Sequence, residues 1–528
     1  MPKLFPIMGV GEHGIVTDLP DFQLPPNAWS GGQNVRFYEN RAAAAKGYED
    51  AFTPSIPPYA IDVVTSGGDV FFVYPGLDDI YTYDVSNGHV ERTRAAGVTV
   101  YTGTAADIWN GGVLHDYHCI TNGVDAPQVW KIGTATDYAD MDYDASNTWT
   151  AVGQTCRILV PVKYHLLAMD LTVSGSRYPR RVAWPEPAEP GSMPTDWDPS
   201  DPTNRAGWVD LVGGSGIIQT AEGMGESVIA YTDDLAFRID WVGGTAQFDV
   251  NTLEWAKGAV SRRAVAVLPG GSHFVVAAGD IYIHNGQGYE AIADEKRKRT
   301  IFADVSPDNY KYLFVVANYA YNEVIVALPT VGATFCDKAH VYNYKRKAWS
   351  ERAIPNLMGM AEGPDPSAAA TPWLWSDMTA TTWEEMTFPW AGEGYNPLNR
   401  SMLAVSPSGS GAVYRMDATN QADGANINAY LERTGLVMGD GDVVNTITGM
   451  VPRIKATGAV SLQVGGQMYP GGPVTWSPAV SFNPTTDQRA TFWHGGSGRY
   501  GAVRISSNAD VSWELEGLTL EYQQRGGA

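Results

Sequence analysis

Cysteine is scarce in this chain. Cys119, Cys156 and Cys336 are the three in 528 residues, and no CxxC pair occurs. Neither a disulfide framework nor a zinc knuckle can be built from them, which suits folding in a reducing cytoplasm. Long apolar runs are missing too, so no helix long enough to cross a bilayer is expected. Met1–Val10 carries only Lys3 as a basic residue and has no extended apolar core, so a signal peptide is not expected. Positive charge is in deficit: 36 Lys and Arg stand against 58 Asp and Glu, a formal net charge of −22. A protein that grips nucleic acid through its phosphates needs clustered cations. Here the dense basic runs are Glu295-Lys296-Arg297-Lys298-Arg299 and Lys345-Arg346-Lys347, both read as solvated strand edges or loops. The acidic surface keeps the chain soluble and repels DNA. HExxH, GxSxG and GxxxxGK[ST] are all absent, and so is the Ser-x-Asp-x-Gly-x-x-Trp box of sialidase-like propellers.

Turn formers and aromatics are abundant: 57 Gly, 33 Pro, 27 Tyr and 17 Trp. Gly and Pro punctuate turns, and aromatics favour pleated, half-buried surfaces. The chain therefore reads as many short strands with hardly a helix. Asp69–Tyr74 and Ile80–Tyr83 alternate with the strand period of two, and Ser86-Asn87-Gly88 turns the chain again. The same phrase recurs at Tyr117–Lys131, Tyr164–Trp184, Ser227–Ile239, Phe274–Gly286, Asn322–Trp349 and Met402–Met416. Recurrence at about 40–50 residues, lengthened by loops, is the signature of a β-propeller. Six units are plain, and the last makes seven. Stacked hairpins in one large sandwich would show similar strands.

Three regions are expected. Residues 1–56, rich in Gly, Pro and Asn, read as an extended N-terminal arm that lies on something else, because the segment cannot bury a core of its own. Residues 57–418 form the propeller, with long loop insertions near 185–205 and 364–399. Residues 419–528 alternate in short strands such as Ala459–Val464, Arg499–Ile505 and Val511–Leu515, and read as a β-sandwich-like module. Both insertions carry Trp (Trp197; Trp373, Trp375 and Trp383), so each either packs on a partner or folds back on its own propeller.

The residues offer little chemistry. His115 and His118 would point to opposite faces of a strand and could not easily share an ion. Asp137, Asp140, Asp142 and Asp144 resemble a calcium loop but lack its turn glycine and terminal glutamate, and read as a solvated acidic loop. Trp255, Trp349 and Trp513 read as packing residues rather than sugar platforms. No catalytic residue, cofactor site or metal site is assigned, and the chain is read as not an enzyme. A propeller-type glycan hydrolase, which would need two carboxylates, and a receptor-binding module are the alternatives.

Two stretches carry a specific resemblance. Gly14-Ile15-Val16-Thr17-Asp18-Leu19-Pro20, Leu24–Ser30 and Gly32-Gln33-Asn34-Val35-Arg36-Phe37 resemble the N-terminal part of tail proteins of short-tailed bacteriophages. Ser497–Tyr500, Val503-Arg504-Ile505 and Trp513–Leu518 resemble the closing β-module of the same family, the tail nozzle, hub or packaged-DNA stabilization proteins. The middle is similar to that family in texture alone. The resemblance implies a virion protein assembled in the host cytoplasm. It would self-associate into a ring of about six copies, a hexamer, below portal and adaptor, through heterologous contacts that close by rotation. Genomic DNA would pass through the lumen without specific binding, the arm would clamp a neighbour, and the insertions would constrict the lumen as a gate.

Overall fold

The computed structural model describes residues 2–94, 100–201, 203–244, 246–366, 400–439 and 443–527. It is an all-β structure. Six four-stranded antiparallel sheets follow one another along the chain, over residues 62–91, 110–140, 154–210, 218–253, 265–291 and 314–357. A seventh sheet is built from Gly359–Pro364, Arg400–Ser406 and Ala412–Met416. Its fourth strand comes from the other end of the chain: Tyr48–Phe52 pairs antiparallel with Ala412–Met416. The first strands of the blades lie side by side around an axis, and the seventh returns against the first. The fold is a seven-bladed β-propeller closed by an N-terminal strand.

The blades form where the sequence alternates, and their second strands are nearly continuous apolar runs. Ser227–Thr232, His273–Ala277 and Glu323–Leu328 are buried at every position. A strand covered on both faces loses the in–out alternation of a half-exposed one. Neighbouring blades share cores, as where Phe71 of the first meets Trp130 of the second edge-to-face at 5.4 Å. The turns are chemically specified. Asp84 Oδ1 accepts hydrogen bonds from the amides of Ser86 and Asn87 at 3.0 and 2.7 Å, and Gly88 takes φ 71°. Asn343 does the same for Lys345 and Arg346 at the equivalent turn of blade six. Asx turns of this kind give the backbone a local partner.

The N-terminal segment departs from the expected arm. Lys3–Met8 pairs with Trp513–Gly527, Gly31–Gln33 with Ala429–Val437, and Arg41–Ala44 again with Trp513–Gly527. Residues 1–56 are thus shared between two bodies of the same chain, and what they lie on is that chain. Two sheets result, one centred on Val443–Ala456 and Trp513–Gly527, the other on Val460–Gln467 and Tyr500–Ser507. They enclose a common core that includes Ile7, Trp29, Phe37, Leu462, Val503 and Trp513. This is a β-sandwich completed by the N terminus. Sequence pattern could not disclose it, because pairing across almost the whole chain leaves no local trace. The insertion near 364–399, with Trp373, Trp375 and Trp383, lies largely outside the described residues.

Candidate functional site

The propeller axis is lined by the first strands of all seven blades, which enclose a cavity of about 380 Å³. Asp62, Glu222, Arg262 and Arg263 bring charge to it. The arginines spend donors on backbone. Arg263 donates to the carbonyls of Met358 and Trp109, each at 2.8 Å, and Arg262 to that of Ile108 at 3.3 Å. These bonds tie blades five, seven and two together across the axis. Burial pushes the Glu222 carboxyl up to about 7. Asp62 lies 3.7 Å from Nε2 of His118, whose Nδ1 is 2.7 Å from the Tyr138 hydroxyl. Burial lowers the His118 pKa. A cavity of this size admits a small molecule, but not a duplex whose major groove alone is about 12 Å wide.

The seam between propeller and sandwich carries a cluster of four charges. Arg36, from the strand Val35–Tyr38, reaches into the propeller and meets Glu323 at 2.8 Å and Asp417 at 2.8 Å. Arg352 completes the group, 3.0 Å from Asp417 and 3.6 Å from Glu323. All four side chains are 7% exposed or less. Burial alone would lower the Arg36 pKa, but the two carboxylates outweigh it and raise it. Burial likewise pushes Asp417 up, and Arg352 and Arg36 bring it below the usual range. Two arginines against two acids balance, which is what makes burying four charges tolerable.

A second cluster lies on blade six. Asp304, His340 and Glu351 place ligand atoms within 4.8 Å of one another. Cationic side chains already serve it: Lys338 sits 3.2 Å from Asp304 and 3.5 Å from Glu351, and Arg297 lies 2.5 Å from Glu351. A divalent ion would have to displace an ammonium group, so the cluster is an ion-pair network. It also overturns part of the reading of the basic run 295–299. Lys298–Asp304 is a short helix, Arg297 is buried, and Lys296 donates to the carbonyl of Lys347 at 2.6 Å, which joins the two basic runs.

The other singled-out residues fall as follows. His115 sits in a turn at φ 53° against the carbonyl of Ser192, away from His118. Asp140 is tied to Gln128, Thr150 and Arg94, and these bonds offset its burial and hold its carboxyl below the usual range. Asp144 caps its own turn at Ser146 and Asn147. The three cysteines are buried and free, and burial pushes the Cys119 thiol up to about 12. Trp349 and Trp513 are buried, whereas Trp255 is half-buried and stacks on Tyr289. The insertion 185–205 folds back on its own propeller, against the connection between blades two and three: Trp197 is buried edge-to-face on Trp149 at 5.0 Å. Glu222, the Arg36 group and the Asp304 group went unseen in the sequence. Their members are separated by tens to hundreds of residues, and no local motif announces them.

No protein-family model matches the chain, and no curated protein matches it. Solved structures that resemble it include BBS1N, determined in complex with ARL6DN, at 10% identity over 70% of this chain and 97% of that one, TM-score 0.36. PorZ, a surface component of the type-IX secretion system of Porphyromonas gingivalis, matches at 9% identity over 83% and 46%, TM-score 0.33. Hsv2 of Kluyvelomyces marxianus matches at 9% over 55% and 72%, TM-score 0.29. Likenesses this distant carry no function with them.

Proposed function

We propose that this chain is a structural subunit of the short tail of a bacteriophage, forming a nozzle ring that extends the DNA channel, retains the packaged genome and passes it at ejection. The observation that carries the reading is the meeting of the two family-like ends. Gly32–Phe37 and Ser497–Leu518 are remote in sequence, yet both belong to the one sandwich. A module built jointly from both termini and bolted to a propeller by buried ion pairs suits a rigid building block. The net charge of −22 suits a conduit through which DNA slides without sticking. The axial cavity of a single propeller is too small for a duplex, so the lumen in this reading lies between copies. The N-terminal segment is used within its own chain, so clamping of a neighbour is not part of the proposal.

Negative-stain imaging and sedimentation of the purified protein, alone and with portal and adaptor, test the reading. Closed rings support it. A protein that stays at its 57.1 kDa monomer mass at every concentration, with or without those partners, refutes it. A glycan hydrolase would instead have to work through Asp62 and Glu222, the two carboxylates lining the axis. Polysaccharide turnover abolished by Glu222→Gln would favour that alternative.

A further inference from the structure

A cleft of about 810 Å³ opens where the propeller meets the sandwich. Blade six contributes the turns at Tyr321–Asn322 and Lys345–Arg346, and the sandwich contributes Lys455 and Trp513. Lys46, Lys345 and Arg346 line it and are exposed. None of the three has a carboxylate partner among the described residues, and Arg346 donates to Asn40 Oδ1 at 3.2 Å. Two carboxylates also line it: Glu514 is held by Arg41 at 2.5 Å, and the exposed Glu39 makes no ion pair among the described residues. A chain with a surplus of acids therefore leaves three cations unpaired at one concave place.

The complementary feature lies three blades away. Between Trp184 and Arg205 the sequence holds Glu186, Glu189, Asp196, Asp198 and Asp201 and no Lys or Arg. None of these five pairs with a cation among the described residues. The segment is nevertheless fixed: Trp197 is buried, Ala188 donates its amide to the Tyr164 carbonyl at 2.7 Å, and Asp196, Asp198 and Asp201 cap successive turns. A preorganised loop pays little ordering entropy on docking. It joins the third and fourth strands of its blade, as the Lys345–Arg346 turn does in blade six, so loop and cleft face the same side of the disc. No blade-three residue lines the cleft.

We propose that the basic cleft of one copy receives the acidic segment 185–201 of the next copy. The inference rests on the ring reading above and names the contact that closes the ring. Donor and acceptor surfaces differ, so the contact is heterologous and propagates in one sense around a ring. Without such a local match, copies carrying −22 each would repel.

The test is a charge swap on the full chain, read by sedimentation velocity, with unchanged thermal melting as the folding control. Lys345→Glu/Arg346→Glu and, separately, Glu186→Lys/Glu189→Lys are each expected to weaken self-association roughly tenfold or more, and mixing the two variants should restore it. Wild-type association should also weaken between about 0.1 and 1 M salt, as the screening length falls from about 10 to about 3 Å. Rings that persist unchanged in both variants overturn the contact and leave the ring reading standing. A wild type that never associates overturns both. A single-stranded oligonucleotide bound by the wild type and lost in Lys345→Glu/Arg346→Glu would assign the cleft to nucleic acid and also overturn the proposal.

Discussion

Arg36 shows how much one side chain can hold. It leaves a sandwich strand, enters the propeller and neutralises Glu323 and Asp417. Truncating it leaves two acids and one arginine whose side chains are 7% exposed or less. Arg36→Ala is expected to cost about 3–5 kcal/mol in chemical denaturation, and a loss below about 1 kcal/mol would mean that solvent reaches the group. Buried histidines set the acid limb. Burial lowers His165 to about 4 and, with His273 nearby, His284 to about 3. Tyr231 sits between His273 and His284 at 2.7 and 2.6 Å. The unfolded chain takes up these protons near pH 6.5 while the native one refuses them. The contribution of these histidines is therefore complete above about pH 6.5 and is lost as pH drops toward 3–4; His284→Gln should flatten the melting temperature measured over that window. Glu222 has the opposite slope. Its folded pKa of about 7 lies above the ordinary 4.5, so the native state binds the proton more tightly. Stability is lost as pH rises from about 4.5 to 7, and Glu222→Gln should be relatively more stable above pH 7 and unchanged at pH 4.

At the scale of the element, the strand Tyr48–Phe52 closes the propeller. The first and last blades of a ring have no covalent reason to meet, and here the seventh sheet is finished by chain from before the first. Phe52 stacks on Tyr83 of blade one at 4.2 Å and lies near Phe72 and Tyr74, so it locks blade seven to blade one. Phe52→Ala is expected to cost about 3–5 kcal/mol and to lower the unfolding midpoint without changing the native far-ultraviolet dichroism. Removing residues 1–47 would do something different in kind. It strips the sandwich of the strands that pair with Trp513–Gly527 and Ala429–Val437. Exposed sheet edges recruit other chains, and the truncated protein should elute as soluble aggregate on size exclusion. A clean monomer with intact melting would show that the N-terminal strands are dispensable.

At the scale of the molecule, a propeller and a sandwich are joined by one continuous seam. The chain crosses it repeatedly: Asn34 accepts the amide of Ala353 and donates to the carbonyls of Glu351 and Asn428. Rigid bodies joined in this way move together. The sequence alone determined the all-β class, the repeat and the second strand of every blade, because a strand buried on both faces must be a short apolar run bounded by turns. It also determined the net charge of −22 and the absence of HExxH, GxSxG and GxxxxGK[ST]. Only the tertiary structure decided where the N terminus goes, that the blades number seven, and which charges meet at the seam and the axis. Arg36 and Asp417 are distant along the chain, and so are Lys3 and Tyr522. Neither pairing has a local propensity behind it, since long-range contacts are chosen by the area and charge they jointly remove from water.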